Sequence, residues 1–435
     1  MEDSPYYLHP PGLLGRGAVL DLGLKCAHSC KFCYYSFFGA TGDQFGGIRK
    51  ASFQSTEHCQ KIVELFAENG FRNFDVTGGE PCLHPGLADI IRTATRLGLA
   101  SRIITLGQFL TASRPGARPL LDALLDAGTT SFLFSLHAAT SEKFKEYTGG
   151  DLSKLTGAMD ALDAAGFEYC VNTVVFEGNY RDLPAIAETA AQRGVYNHNF
   201  ILFNAYHQWD KLKRSGALQP RFAAVAPYLS RAVSILESAR VAVNVRYAPY
   251  CVFPGLEKHI VGALALQYDP HEWRNPAGRF DAPIEERAGA LPVAQGGIRA
   301  RFELTRREEI LPGGRLVAAR RGEGFNVFAP QCLACAALTM CDGCDPGYYA
   351  ARGDVELAPY AEFPAVFPLP AARREYRPAF VVKTAQNARV KKFLAGLFPP
   401  GAGTAPAQPI EATSNPRSHG AGVLEVRPKP ARSVS

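Results

Sequence analysis

The chain has 435 residues, of which 47% are apolar and 20% charged, and a formal net charge of +6. That balance describes a folded chain with a large core and room for more than one domain, and it excludes a fibrous or wholly disordered protein. No apolar run is long enough to span a bilayer, and no basic start leads into an apolar segment, so no membrane association and no signal peptide are expected. A cytoplasmic, reducing location follows, in which eleven cysteines read as metal ligands or buried thiols rather than disulfides.

The first fifteen residues form a short N-terminal extension. From residue 18 to 207, apolar runs alternate with helical patterns. AVLDLGL (18–24), FRNFDVT (71–77), SRIITL (101–106), SFLFSL (131–136), YCVNTVVF (169–176) and HNFILFN (198–204) read as buried strands. Helix-like segments at 56–70, 86–98, 119–128, 155–166 and 182–194 separate them, and each closes on a glycine. Six strands joined through helices predict a parallel sheet with right-handed crossovers, as either a barrel or a doubly wound sheet, with its chemistry at the C-terminal strand ends.

Past about residue 213 the alternation fades. A helix is expected over 221–240, then a strand, VAVNVRY (241–247), and Cys251. Residues 276–328 are rich in Gly, Arg and Glu, and a second cysteine group follows at 332–344. From 357 the chain is basic and Pro/Ala-rich, with one amphipathic helix expected over 384–398 and disorder from about 399. From Ala371 onward eleven Arg and Lys stand against three Glu. The net positive charge is therefore a property of the tail, which reads as a solvated segment; with no interleaved aromatics, nucleic acid is not an expected partner.

The loop after the first strand carries CAHSCKFC (26–33). Three thiols in one loop do not supply the four ligands of a structural zinc site. Closely spaced thiols suit an iron–sulfur cube, and three of them leave one iron open. The spacing C-x3-C-x2-C, with Phe32 before the last cysteine, resembles the radical S-adenosylmethionine (SAM) superfamily. That resemblance implies a partial (β/α)6 TIM-like barrel of α/β class, spanning about 16–212. It also implies a [4Fe–4S] cluster on Cys26, Cys30 and Cys33, SAM on the open iron, and reductive cleavage of SAM to a 5′-deoxyadenosyl radical that abstracts hydrogen. TGGEP (77–81) stands where that family carries its GGEP motif, so Gly78, Gly79 and Glu80 are expected to hold the methionyl amine, the glycines by letting backbone approach the ligand. FSLHAAT (134–140) and NTVVFEGN (172–179) are weaker matches. They imply Ser135 near the SAM carboxylate or ribose, Asn172 near its ribose or adenine, and Phe32 near the adenine.

The second group, CLACAALTMCDGC (332–344), resembles the SPASM or twitch extension of that superfamily, within a region of 213–356. It departs from the SPASM pattern in its last spacing, and no cysteine follows Cys344. Five thiols, Cys251, Cys332, Cys335, Cys341 and Cys344, suffice for one auxiliary [4Fe–4S] cluster, with zinc as the alternative. Cys59, Cys82 and Cys170 read as core thiols. The barrel interior is expected to shield the substrate; His137, Asn199, Asn204 and His207 lie near strand ends, and Glu257, His259 and Glu272 in unusual loops. With 25 residues before Cys26, a peptide-recognition domain is not expected there. A small-molecule substrate in specialised-metabolite or cofactor biosynthesis is the first expectation, and a ribosomal peptide the alternative. An electron donor such as flavodoxin or ferredoxin is implied. A reading of another class is a non-catalytic iron–sulfur or zinc protein that senses redox state.

Overall fold

The computed structural model describes residues 17–33, 45–68, 73–112, 118–203 and 215–261, and, further on, short strands between 293 and 329, parts of 331–341, and 343–362. The N-terminal extension, Asn204, His207, Glu272, and the basic tail past residue 362 with its expected helix lie outside the described residues.

Strands and helices alternate from the start. They run β1 Gly17–Asp21, α1 Gly46–Lys50, α2 Thr56–Glu68, β2 Asn73–Thr77, α3 Leu87–Arg96, β3 Ala100–Thr105, α4 Leu120–Ala127 and β4 Ser131–Ser135. After these come α5 Ser141–Thr148, α6 Leu152–Ala164, β5 Cys170–Val175, α7 Leu183–Gln192, β6 Asn197–Leu202, α8 Ser215–Leu218, α9 Phe222–Ser238, β7 Ala242–Arg246 and β8 Ile260–Val261. All eight strands join one sheet in the order of the chain, each parallel to the next. A doubly wound sheet would reverse its order part-way, so this order selects the barrel-like alternative. Among the described residues β1 and β8 do not pair, and the curl stays open. Six strands were expected from the alternation; β7 and β8 extend the sheet further because 241–247 continues it in parallel beside β6.

The two faces of the sheet differ in chemistry. Leu20, Phe74, Val76, Ile103, Phe132, Phe134, Val171, Phe200, Leu202 and Val245 lie in one buried core with Ile62, Ile90, Leu124, Leu155, Ile186 and Leu229 from the helices. Strand side chains alternate faces, so the residues between those positions line the concave side. There Arg102 holds Asp75 with two bonds of 2.6 Å, and Ile104, Leu133, Cys170 and Tyr196 form a small separate cluster. Helix α5 was not expected from its polar sequence; Thr140 caps it at Lys143 N, and Gly149 closes it in the left-handed conformation. Further on, Glu308–Leu311, Arg315–Ala319 and Phe325–Phe328 make a three-stranded antiparallel sheet, and α10 spans Pro346–Arg352.

Candidate active site

The loop after β1 is fixed by backbone hydrogen bonds to three other segments. Leu22 N–H donates to Thr77 O at 3.0 Å, Cys26 N–H to Ile48 O at 3.1 Å, Ser29 N–H to Thr148 O at 2.8 Å and Lys31 N–H to Tyr147 O at 2.9 Å. The GGEP segment docks directly onto it: Gly79 N–H donates to Gly23 O at 2.8 Å and Glu80 N–H to Lys25 O at 2.9 Å. A Cβ on Gly79 would lie 2.1 Å from Lys25 O, and one on Gly78, at φ +136°, would lie 2.7 Å from Gly23 O. The glycines are therefore required by the approach of one loop to the other, a reason independent of any ligand.

This docking brings the thiols near one another, with Cys26 buried and Cys30 and Cys33 half-buried. Burial first, then the nearby Glu80 and Cys33, pushes the Cys26 thiol up to about 12. Cys30 is raised well above its ordinary value by burial and by Cys33 and Cys26. Glu80 is fully enclosed. Its Oε1 accepts from Cys82 N–H at 3.0 Å and Thr105 Oγ1 at 2.6 Å, and its Oε2 from Leu106 N–H at 3.2 Å. His28 Nε2 stands 3.4 Å from Oε2, in ion-pair contact but off hydrogen-bond geometry. Burial pushes the Glu80 carboxyl up, but His28 and the donated hydrogen bonds together outweigh it and hold the group below its ordinary range. The carboxylate expected at a ligand amine thus ties β2 to β3 and to the cysteine loop. His28 was missed from sequence; its place inside the cysteine motif was the available signal.

Phe32 packs against His137 at 4.5 Å and Phe176 at 5.0 Å between ring centroids. Burial drives His137 down to about 3, so it is neutral, and its Nδ1 accepts from Val174 N–H at 3.2 Å. Ser135 and Asn172 face each other across β4 and β5, on the concave side. Asn172 is buried, and its Oδ1 has no hydrogen-bond partner among the described residues. Cys82 and Cys170 are buried, with sulfur contacts to Thr105 Oγ1 at 3.4 Å and Phe132 O at 3.3 Å, and Cys59 is fully buried.

The second thiol group gathers from distant parts of the chain. Cys251 lies just after β7, and burial together with the nearby Cys332 and Cys335 raises it to about 11. Burial, Asp345 and the thiols of Cys341, Cys251 and Cys332 raise Cys344. Tyr360 binds the group to the barrel: its N–H meets Cys335 Sγ at 3.4 Å, and its hydroxyl donates to Glu257 Oε1 at 2.9 Å and Tyr250 O at 3.1 Å. Tyr360 was not singled out from sequence, since nothing local marks it. Glu257 and His259 are thereby placed: Glu257 beside the second thiols, and His259 against Glu237 at 3.0 Å on α9.

Comparison with known proteins bears on the part of the chain that carries this site. The profile described as the Radical SAM superfamily matches residues 21–190. Those residues make up a radical SAM domain. GTP 3′,8-cyclase 1 of Pseudomonas aeruginosa is 30% identical over 189 residues, which is 42% of this chain and 54% of that protein. PqqA peptide cyclase of Methylorubrum populi is 26% identical over 227 residues, 52% of this chain and 54% of that protein. The chain thus spans about half the length of the curated relatives it matches. Streptococcus suis SuiB, solved with S-adenosylmethionine bound, is 12% identical with a TM-score of 0.46, covering 80% of this chain and 76% of SuiB.

A radical SAM domain uses a [4Fe–4S] cluster and SAM as cofactors. The donor chemistry after β1 fits such a cluster. Three soft thiols lie close enough to raise one another, none is in a disulfide, and all sit in one docked loop. Burial keeps the metal-free Cys26 and Cys30 protonated, so taking up iron there must release protons. No helix among the described residues is long and apolar enough to cross a membrane.

Proposed function

We propose that this chain is a radical SAM enzyme that cleaves SAM reductively and abstracts hydrogen from its substrate, with Cys26, Cys30 and Cys33 holding the cluster. The observation that carries the reading is the docking of the GGEP segment onto the cysteine loop through Gly79 N–H and Glu80 N–H. When bound, the cluster and SAM supply an electron and a primary carbon radical. The chain's own part is to orient and exclude water. The carbonyls of the GGEP loop offer acceptors for an ammonium group, Phe32 presents an apolar ring, and Ser135 and Asn172 offer hydrogen bonds across β4 and β5. Cys251, Cys332, Cys335, Cys341 and Cys344 are proposed to supply four ligands to one auxiliary cluster.

The substrate is proposed to be a small molecule, in keeping with the likeness to a GTP cyclase over 189 residues. A second reading, a peptide substrate, is favoured by the likeness to PqqA peptide cyclase over 227 residues. Anaerobic reconstitution with iron and sulfide, followed by dithionite and SAM, tests the proposal. We expect 5′-deoxyadenosine from the wild type and none from Cys30→Ala; an iron-loaded wild type that yields none would overturn it. Deuterium transfer from a labelled candidate into 5′-deoxyadenosine then separates the two substrate classes.

A further inference from the structure

The cysteine loop and the helix beside it carry positive charge without a compensating acid. Residues 24–33 and 45–51 contain Lys25, Lys31, Arg49 and Lys50 and no carboxylate. Taking the eleven cations and three carboxylates of the tail from the totals of 47 and 41 leaves 36 against 38. The body of the chain is therefore slightly acidic, and four cations around one loop are a local departure from it.

These cations are held at the rim of the thiol loop. Arg49 donates to Ser29 Oγ at 2.6 Å, one residue before Cys30, and Lys25 Nζ donates to Arg49 O. Ser29 joins this side to α5, since its N–H donates to Thr148 O at 2.8 Å. Lys31 leans onto α5, its Nζ 2.6 Å from Glu146 Oε1 and 5.6 Å from the centroid of the Tyr147 ring. Helix α5 adds Lys145, and Lys143, which Asp182 holds at 2.7 Å. Over 24–33, 45–51 and 141–151 together, six cations face three carboxylates, Glu142, Glu146 and Asp151. Lys50 and Lys145 are exposed, and among the described residues no carboxylate is in ion-pair contact with either. The thiols also approach solvent here: Ala27 and Lys31 are exposed, and Ser29, Cys30 and Cys33 are half-buried. On its other side the loop is closed by Gly79 and the buried Glu80.

We propose that the rim of Lys25, Lys31, Arg49, Lys50 and Lys145 docks a small acidic one-electron carrier protein, a flavodoxin or a ferredoxin, against the cysteine loop. This rests on the radical SAM reading and adds the partner that feeds its site. Reductive cleavage consumes one electron, which has to come from outside the chain, and the concave interior is given over to SAM and substrate. The carrier is oxidised by one electron and the thiol-held site is reduced by one; no proton or group crosses with it. Opposite charge steers such an encounter, and exposed rim charges act mainly on its rate and salt dependence.

The test uses the full chain reconstituted with iron and sulfide. Binding of oxidised flavodoxin and of oxidised ferredoxin is read by isothermal titration at about 0.01 M and about 0.15 M salt, between which the screening length falls from about 30 Å to about 8 Å. We expect at least one carrier to bind, about tenfold more weakly at the higher salt; the one that binds identifies the donor class. Lys50→Glu/Lys145→Glu should weaken that binding about tenfold and slow carrier-driven formation of 5′-deoxyadenosine by a similar factor. With dithionite, which needs no docking, the double variant should stay within about twofold of the wild type. Lys50→Glu alone is the second variant, with an expected loss of about threefold. Arg231→Glu, exposed on α9, is the control and should bind the carrier as the wild type does. The proposal is overturned if neither carrier binds, or if the double variant binds as tightly as the wild type, which would move docking to the basic tail. It is overturned too if Arg231→Glu costs as much, or if the double variant loses dithionite-driven turnover in step. A short RNA bound by the wild type and lost in the double variant, with neither carrier bound, would make the rim a nucleic-acid contact and also overturn it. A wild type that binds a carrier yet yields no 5′-deoxyadenosine with dithionite instead overturns the radical SAM reading, so the two failures are distinct.

Discussion

The two thiol groups are built in different ways. The first comes from one loop, held by main-chain hydrogen bonds to Ile48, Tyr147, Thr148 and the GGEP segment. The second draws Cys251 from the loop after β7 and four more thiols from 332–344, and side chains tie its segment to the barrel, Tyr360 at Glu257 and Tyr250, and Tyr348 at Phe222. A site pinned by backbone keeps its geometry through most side-chain changes, whereas one clasped by a few side chains can be loosened singly. The first suits a reactive centre that must stay in register with a cofactor, and the second an accessory.

The largest break in that comparison comes from the ligands. Cys30→Ala should leave the first group with two thiols, abolish SAM cleavage and lower the iron content from about eight to about four per chain. Any single alanine substitution in the second group should remove at most about four irons and leave SAM binding in place. Iron analysis and an equilibrium SAM titration check both.

Glycine substitutions come next. Gly79→Ala sets a Cβ 2.1 Å from Lys25 O, a backbone atom that cannot step aside. It should cost at least about 2 kcal/mol and undock the cysteine loop. Gly157→Ala, inside α6 with nothing within 4 Å of the added atom, should instead stabilise by about 0.8 kcal/mol. Urea unfolding of the metal-free chain measures both, and opposite signs are the expected result.

Much of this was legible in the sequence, and the exceptions share a cause. The six strands and the cysteine and GGEP segments lie in local patterns that periodicity and spacing expose. Helix α5 escaped because SEKFKEYT is mostly polar and keeps only Phe144, Tyr147 and Thr148 buried; its evidence is the cap and the closing glycine, which mean little before the neighbouring strands are known. The glycines of GGEP were read for a ligand, and the structure adds a steric reason, Gly78 against Gly23 O and Gly79 against Lys25 O. The contacts of His28 with Glu80 and of Tyr360 with Cys335, and the pairing of Ser135 with Asn172, depend on register and on chain segments far apart. No local pattern encodes those.

Glu80 gives a smaller effect than Gly79. Its carboxyl is held below its ordinary value of 4.5, so the stability it contributes is present above that pH and is lost as pH falls through the lower, folded value. Glu80→Gln keeps the shape but removes the charge facing His28. It should cost about 2 kcal/mol at neutral pH and flatten the acid limb of the stability curve below pH 4.5. An unchanged acid limb would show that His28 and Thr105 do not hold the carboxylate as described.

The finest contrast lies between Cys26 and Cys251 in the metal-free chain. Burial raises both thiols above the ordinary value of 9.0, Cys26 to about 12 and Cys251 to about 11. A raised thiol favours the fold in its neutral form. Its contribution is therefore whole below pH 9 and is lost as pH climbs through the folded value. The thiolate is the species that alkylates. As pH rises from 9 to 11, iodoacetamide should mark Cys251 before Cys26, by about one pH unit, as peptide mass spectrometry can resolve. Cys251 is also the more exposed of the two, so access and ionisation push in the same direction. Adding iron before the alkylation should protect Cys26 fully if the first loop binds as a unit. Simultaneous labelling of the two thiols would mean that the backbone-pinned loop opens as easily as the side-chain clasp, and the distinction between the two sites would fall.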